Sequence, residues 1–315
     1  MAFRFQPGEA VPEGVRRVAT EELVAALDHL GGGAGPMDEA VHESRKSLKR
    51  LRALLRLVRD GLGPSAYRGE NACFRDCGRL LAGPRDAAVL AATLDDLAPE
   101  LDLGVTTFAR LRGALTPGTV TWRDPPVVRV RTTLVLALAR IGSWPLDGAA
   151  TAVGPGLERV YGRGRRAMAA ARDAPTPARL HEWRKRVKYH WHHVQLVSRV
   201  GPGWLAGREE EVHDLSDLLG DDHDLHVLAE TVSADPARYG PAAELAGLLR
   251  AIGHRRAGLL TQALAKGRTL YADPPRRLVS ALDGRLPGGG KSAAPASRLS
   301  PGRGLESVPT TGVGG

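Results

Sequence analysis

The chain has 315 residues, 43% hydrophobic and 25% charged, a composition ordinary for a soluble globular protein with a sizeable core. Lysine and arginine number 44 against 35 aspartates and glutamates; the net +9 points to an anionic partner such as a phosphate polymer, nucleic acid or anionic lipid. No run approaches the roughly 18 apolar residues a membrane helix needs, and the first ten residues hold no apolar signal core, so a cytoplasmic protein is expected.

Apolar residues recur at three- and four-residue steps through most of the chain, which predicts an all-α protein. The first helix is expected at 15–30, ended by the glycine-rich run Gly31–Pro36, and the second at 38–60. A third, 65–82, carries Cys73 and Cys77. A disulfide across one helical turn is strained, so these two read as reduced thiols packed as small hydrophobes. Helices at 85–98 and 127–141 follow, although Val127–Val135 (VVRVRTTLV) alternates enough to pass for a strand. The second half reads as helices at 151–173, 177–200, 204–219, 222–234 and 242–266. Asp221 and Asp222, just after Gly220, read as capping acids at the start of a new helix. Glycine, proline and serine dominate 286–315, which reads as a disordered tail.

An internal repeat organises the chain. Val41–Lys49 (VHESRKSLK) and Leu180–Lys188 (LHEWRKRVK) share one pattern, and Leu80–Leu90 (LLAGPRDAAVL) aligns with Leu218–Leu228 (LLGDDHDLHVL) at nearly the same offset. Two elements in the same order imply a duplicated helical unit, about 12–150 and 151–285, and hence two bundles related by a pseudo-twofold axis.

On a helix, His42, Arg45, Lys49, Arg52, Arg56 and Arg59 form one stripe about 26 Å long. Val41, Leu48, Leu51, Leu55 and Val58 form an apolar stripe roughly 120° away, so the basic row flanks the buried face. In the second motif His181, Arg184, Lys185, Lys188 and His192 share a face, beside an apolar side of Leu180, Trp183, Val187, Trp191 and Val194. Like charges at these steps repel, and the first row has no carboxylate apart from Glu43 on another face. Such a stripe makes sense when an external polyanion neutralises it. Guanidinium and ammonium groups suit phosphate oxygens, and a long row suits a polymer. Aromatic residues are only 4% of the chain, which provides poorly for base stacking.

Paired H-x-x-R-K-x-x-K helices in the two halves of a basic all-helical chain resemble the conserved histidine α-helical domain (CHAD) family. Gly14–Leu27 (GVRRVATEELVAAL) and the Arg85-Asp86 element, echoed at His223-Asp224, carry the resemblance further, over about 12–285. It implies two four-helix bundles facing each other across a basic cavity, within one domain over 1–285. It also implies binding of inorganic polyphosphate and association with polyphosphate granules. The binding residues carried over are His42, Arg45, Lys46, Lys49 and Arg52, with His181, Arg184, Lys185 and Lys188. Arg56, Arg75, Arg79, Arg163, Arg166, His192, Arg255 and Arg256 are further candidate anion contacts. Trp191 stands where Arg52 stands in the first half, so the two halves need not contribute equally.

Two rival readings remain. One is a general nucleic-acid or polyanion binder. The other is a metal-dependent phosphohydrolase built on His190, His192, His193, His213, Asp214 and the Asp221–His226 cluster, but these lack convincing ligand spacing. No GxxxxGK[ST] loop is present. The expectation is a binder with no catalytic residue, metal or cofactor.

Overall fold

The computed structural model describes residues 3–31, 36–82, 85–101, 103–116 and 125–276. Among these residues all regular structure is helical, and none of the helices is long and apolar enough to cross a membrane. The proposed tail at 286–315 and the domain end at 285 lie outside the described residues. So do the side chains of Arg85 and Asp86.

Three helices and a short turn of helix open the chain: α1 (Val11–Leu30), α2 (Met37–Leu57), α3 (Arg59–Leu62) and α4 (Pro64–Leu80). The helix expected at 38–60 is therefore broken at Val58, whose ψ of 17° leaves the helical region, so Arg59 leaves the continuous stripe. Gly63, at φ +79°, makes the sharp join to α4, which starts on Pro64. Then come α5 (Arg85–Leu97), α6 (Val105–Leu115) and α7 (Pro125–Arg140). Sequence periodicity missed α6, a short helix whose buried apolar residues are Leu111 and Leu115. The ambiguous 127–135 segment lies within α7, with Val127, Val130, Leu134 and Ala137 buried at helical spacing.

The second half contains α8 (Ala149–Asp173), α9 (Pro177–Val197), α10 (Trp204–Ala234), α11 (Pro236–Tyr239) and α12 (Ala242–Leu270). The helices expected at 204–219 and 222–234 are one, and Asp221 and Asp222 cap nothing. Leu215, Leu219, Asp222 and Leu225 follow one buried stripe through Gly220. Burial along that stripe outweighs the roughly 1 kcal/mol cost of a mid-helix glycine. Asp222 tolerates burial because Arg256 of α12 holds it at 2.8 Å.

Two hydrophobic cores result, and helices from both halves of the sequence build each. The larger gathers α1, α2, α4, α7, α8, α9, the first half of α10 and the end of α12 around Leu48, Leu51, Leu55, Trp183 and Val187. The smaller gathers α5, α6, the second half of α10, α11 and most of α12 around Leu94, Leu111, Leu228 and Leu248. α10 and α12 are long because they serve both. The two motif helices pack on each other within the larger core, and α8 lies against both. Gly156 of α8 permits that approach: a Cβ there would collide with the Leu57 carbonyl oxygen at the end of α2.

Candidate anion-binding face

Both motif helices bury most of the stripe expected of them, Trp191 being only partly buried. Val41, Leu48, Leu51, Leu55 and Val58 on one side, and Leu180, Trp183, Val187 and Val194 on the other, are all buried. α9 has the better start: Pro177 takes its first position and the Thr176 hydroxyl accepts from the Arg179 N–H at 3.4 Å. Packing these stripes together fixes which way the basic rows face.

The rows meet through their flanks. Lys188 of α9 lies within electrostatic range of Arg184 on its own helix and of Lys46 and Arg50 on α2. Arg184 extends over Gly220 of α10, its Nε 3.9 Å from where a Cβ would stand. His181 stands 5.0 Å, ring centre to ring centre, from His223 of α10. These six groups form one basic surface drawn from three helices. Burial and the neighbouring Lys185 and Arg184 lower the His181 pKa. Burial, Arg184 and His181 hold His223 down to about 4. Both rings are therefore neutral at pH 7, each offering one N–H. Burial also lowers the Lys188 pKa, the nearby cations adding to it, with Asp217 opposing.

Each motif carries its own relief from repulsion. Glu43 lies 3.0 Å from Lys46 and 3.7 Å from His42, and Glu182 pairs with Lys185 at 2.8 Å and also with Arg186. The view that Glu43 stands aside from the row is thus corrected: one residue from His42 and three from Lys46, it reaches both. Among the described residues Arg184 forms no ion pair or hydrogen bond, and Lys188 no ion pair. The Arg184 Nε is buried without a partner, while Lys188 rests over the Trp191 ring at 4.2 Å.

The other predicted residues separate into groups. Arg45 donates to the Leu81 carbonyl at 3.2 Å, at the C-terminus of α4, where a cation suits the helix dipole. Arg52 reaches Asn71 at 3.4 Å on α4, and burial beside Arg56 and Arg75 lowers its pKa. Arg56 lies over the Tyr189 ring of α9 at 4.2 Å. Arg75 and Arg79 both bind Asp76. Arg163 sits among Arg186, Arg159, Arg59 and Arg166, a second cationic group along α8. His42 is half-buried and Lys49 exposed on the α2 row.

One candidate is corrected, and two others are ion-paired. His192 is not an anion contact: it is buried, its Nδ1 meets Gln195 at 3.1 Å, and its ring packs on Phe3 and Trp191. Arg255 and Arg256 belong to the smaller core's rim, committed to Glu100 and Asp222 respectively. Sequence periodicity alone could not separate them from free cations, because their partners are 155 and 34 residues away.

Three histidines of the metal reading, His190, His192 and His193, are packing residues. His190 meets the Tyr271 hydroxyl at 3.5 Å and His193 donates through Nε2 to the Ala53 carbonyl of α2 at 2.9 Å. Burial holds His190, His192 and His193 each down to about 3. Among the described residues no three His, Cys, Asp or Glu side chains converge as metal ligands. His223, which the anion-binding reading reached only through the His223-Asp224 echo, was recognisable from the Leu-Leu…Asp…Val-Leu alignment.

Comparison with known proteins places these features in context. The family profile described as CHAD domain matches residues 17–233, spanning both motif helices and most of α10. The crystal structure of the CHAD domain from the plant Ricinus communis is similar at a TM-score of 0.52 and 18% identity, over 86% of this chain and 95% of that one. An identity this low bears on the fold alone. No curated protein matches the sequence.

Proposed function

The chain belongs to the CHAD domain family, and from that premise we propose that it binds a linear phosphate polymer, inorganic polyphosphate, on the surface where α2, α9 and α10 meet. The observation that carries the reading is the pair Arg184 and Lys188. They are two partly desolvated cations, without an ion pair among the described residues, beside Lys46, Arg50 and two neutral imidazoles. Partly desolvated cations are costly when the only counter-charge near Lys188 is Asp217, outside ion-pair distance, and phosphate oxygens would supply further charge and acceptors. A second cationic group, Arg159, Arg163 and Arg166 of α8 with Arg186 of α9, would offer a polymer further contacts, although Arg159 pairs with Asp60 and Arg186 with Glu182.

The repeated motif supports reading the two halves as duplicated units, each contributing one cation row. The protein acts as a binder and not a catalyst, in the cytoplasm or on polyphosphate granules. Nucleic acid is the rival ligand. Trp191, the aromatic side chain against Lys188, is already covered by Lys188, His192 and His213 and offers no stacking platform. The deciding experiment is competition between long-chain polyphosphate and length-matched DNA and RNA over a salt series. Polyphosphate binding that survives excess nucleic acid, with affinity falling steeply with salt, supports the proposal. Equal affinity for all three refutes it in favour of a generic polyanion surface.

A further inference from the structure

Cys73 and Cys77 lie one turn apart on α4, the helix that packs against α2. Both are free thiols, Cys77 buried and Cys73 half-exposed, and one helical turn apart each thiol affects the other's ionisation. Arg140 of α7 reaches the outer sulfur, its Nη2 3.9 Å from Cys73 Sγ. That guanidinium is held in place by a two-pronged bond to Glu70 at 2.9 and 3.0 Å, and Glu70 is itself largely buried. A fixed cation and a neighbouring S–H donor are the two features that favour a thiolate over a thiol.

The two sulfurs are not equivalent. The Cys77 S–H bond, with Arg140 behind it, draws Cys73 down to about 7 against the opposing effects of burial and Glu70. Cys77 goes up, through its bond to Cys73 and through burial, and keeps its proton. Exposure and Arg140 both select Cys73 as the nucleophile, and Cys77 as the thiol waiting behind it.

We propose that Cys73 is a peroxide-reactive thiolate and that Cys77 resolves it, making this turn of α4 a reversible dithiol–disulfide site. In the first step the Cys73 sulfur attacks one oxygen of a hydroperoxide. An S–O bond forms, the O–O bond breaks and hydroxide (or an alkoxide) leaves, giving a sulfenic acid. In the second step Cys77 loses its proton to solvent base and its sulfur attacks the sulfenic sulfur. The S–S bond forms and the S–O bond breaks, releasing hydroxide that takes a proton to become water. The two sulfurs together lose two electrons and the peroxide gains them. Residues at i and i+4 of a helix stand about 6 Å apart at Cα, towards the upper end of the range a disulfide spans. The bond is therefore strained, and ordinary thiols reduce it readily. None of this rests on the phosphate-polymer reading.

The test uses the reduced full-length chain. Iodoacetamide alkylation followed across about pH 5.5 to 9 with peptide mapping should place the Cys73 midpoint near 7. At pH 7 the rate should be about threefold above free cysteine, the gain in thiolate exceeding the loss in intrinsic nucleophilicity. Stoichiometric hydrogen peroxide should give an intramolecular Cys73–Cys77 disulfide that dithiothreitol reverses. In Cys77→Ser it should give instead a dimedone-trapped sulfenic acid at Cys73. If Cys77→Ser does not fold, mapping of the unsubstituted chain makes the same decision. A Cys73 midpoint at or above about 8.5, thiols left intact by peroxide, or disulfides formed only between molecules would each overturn the proposal.

Discussion

Lowering the pH from 7.5 to about 5.5 should destabilise this protein through three buried histidines. His190, His192 and His193 are each held near 3, against an ordinary 6.5. The unfolded chain therefore binds protons there that the folded chain refuses, and the stability that neutrality confers is lost as pH falls below 6.5. Between pH 6.5 and 5.5 each unfolded imidazole goes from half to about nine-tenths protonated, a loss of about 1 kcal/mol per histidine and about 3 kcal/mol together. His223, held near 4, adds to the loss. Glu9, Asp60 and Glu182, whose pKa values are lowered by arginine and lysine partners, contribute only below about pH 4.5, where their unfolded forms start to protonate. Glu22 and Asp221 are raised by burial and oppose the trend near the low end of the window. Against a typical total of about 5–15 kcal/mol, a loss of 3 is easily measured. Urea denaturation at pH 7.5, 6.5 and 5.5, followed by circular dichroism, reads it directly. His190→Phe keeps a ring between Tyr161 and Tyr271 and should remove about a third of the slope the trio contributes. Stability that does not change between pH 7 and 5.5 would refute the account of these rings as neutral core groups.

Charge reversal at Arg184 or Lys188 should weaken polyphosphate binding at least about tenfold and flatten the salt dependence by about one unit per lost contact, with the circular dichroism spectrum unchanged. Arg45→Glu is a poorer probe, because it also strips the cation from the C-terminus of α4. Binding should tighten as pH falls from 7 to 6, because a bound polyanion raises the lowered pKa values of His181 and His223 and the complex takes up protons. Titration calorimetry in buffers of different ionisation enthalpy measures that uptake, and none should remain in a His181→Gln, His223→Gln double variant. Arg256→Ala should cost about 3 kcal/mol in urea denaturation by stranding the buried Asp222 carboxylate, while polyphosphate affinity stays within about twofold.

The faces of α2 and α9 were legible in the sequence because each buries a stripe at helical spacing, and a local repeat records that stripe without reference to any partner. The paired His-Glu-x-Arg-Lys motif likewise pointed to a basic all-helical protein of the CHAD type before any coordinates. The division of the cations was not legible. Arg184 and Lys188 go without an ion pair among the described residues, while Arg140, Arg255 and Arg256 are held by Glu70, Glu100 and Asp222. Those contacts join positions 34 to 155 residues apart. His192 shares a helix face with His181 in projection, yet the N-terminal Phe3 and the Trp191 ring cover it. Gly220-Asp221-Asp222 has the local chemistry of a helix start, and only the Arg256 side chain and the second core turn it into the middle of one. Local pattern decides which residues can be helical and which face is apolar. Which charges find partners, and which are left for a ligand, depends on distances the chain acquires only when it packs.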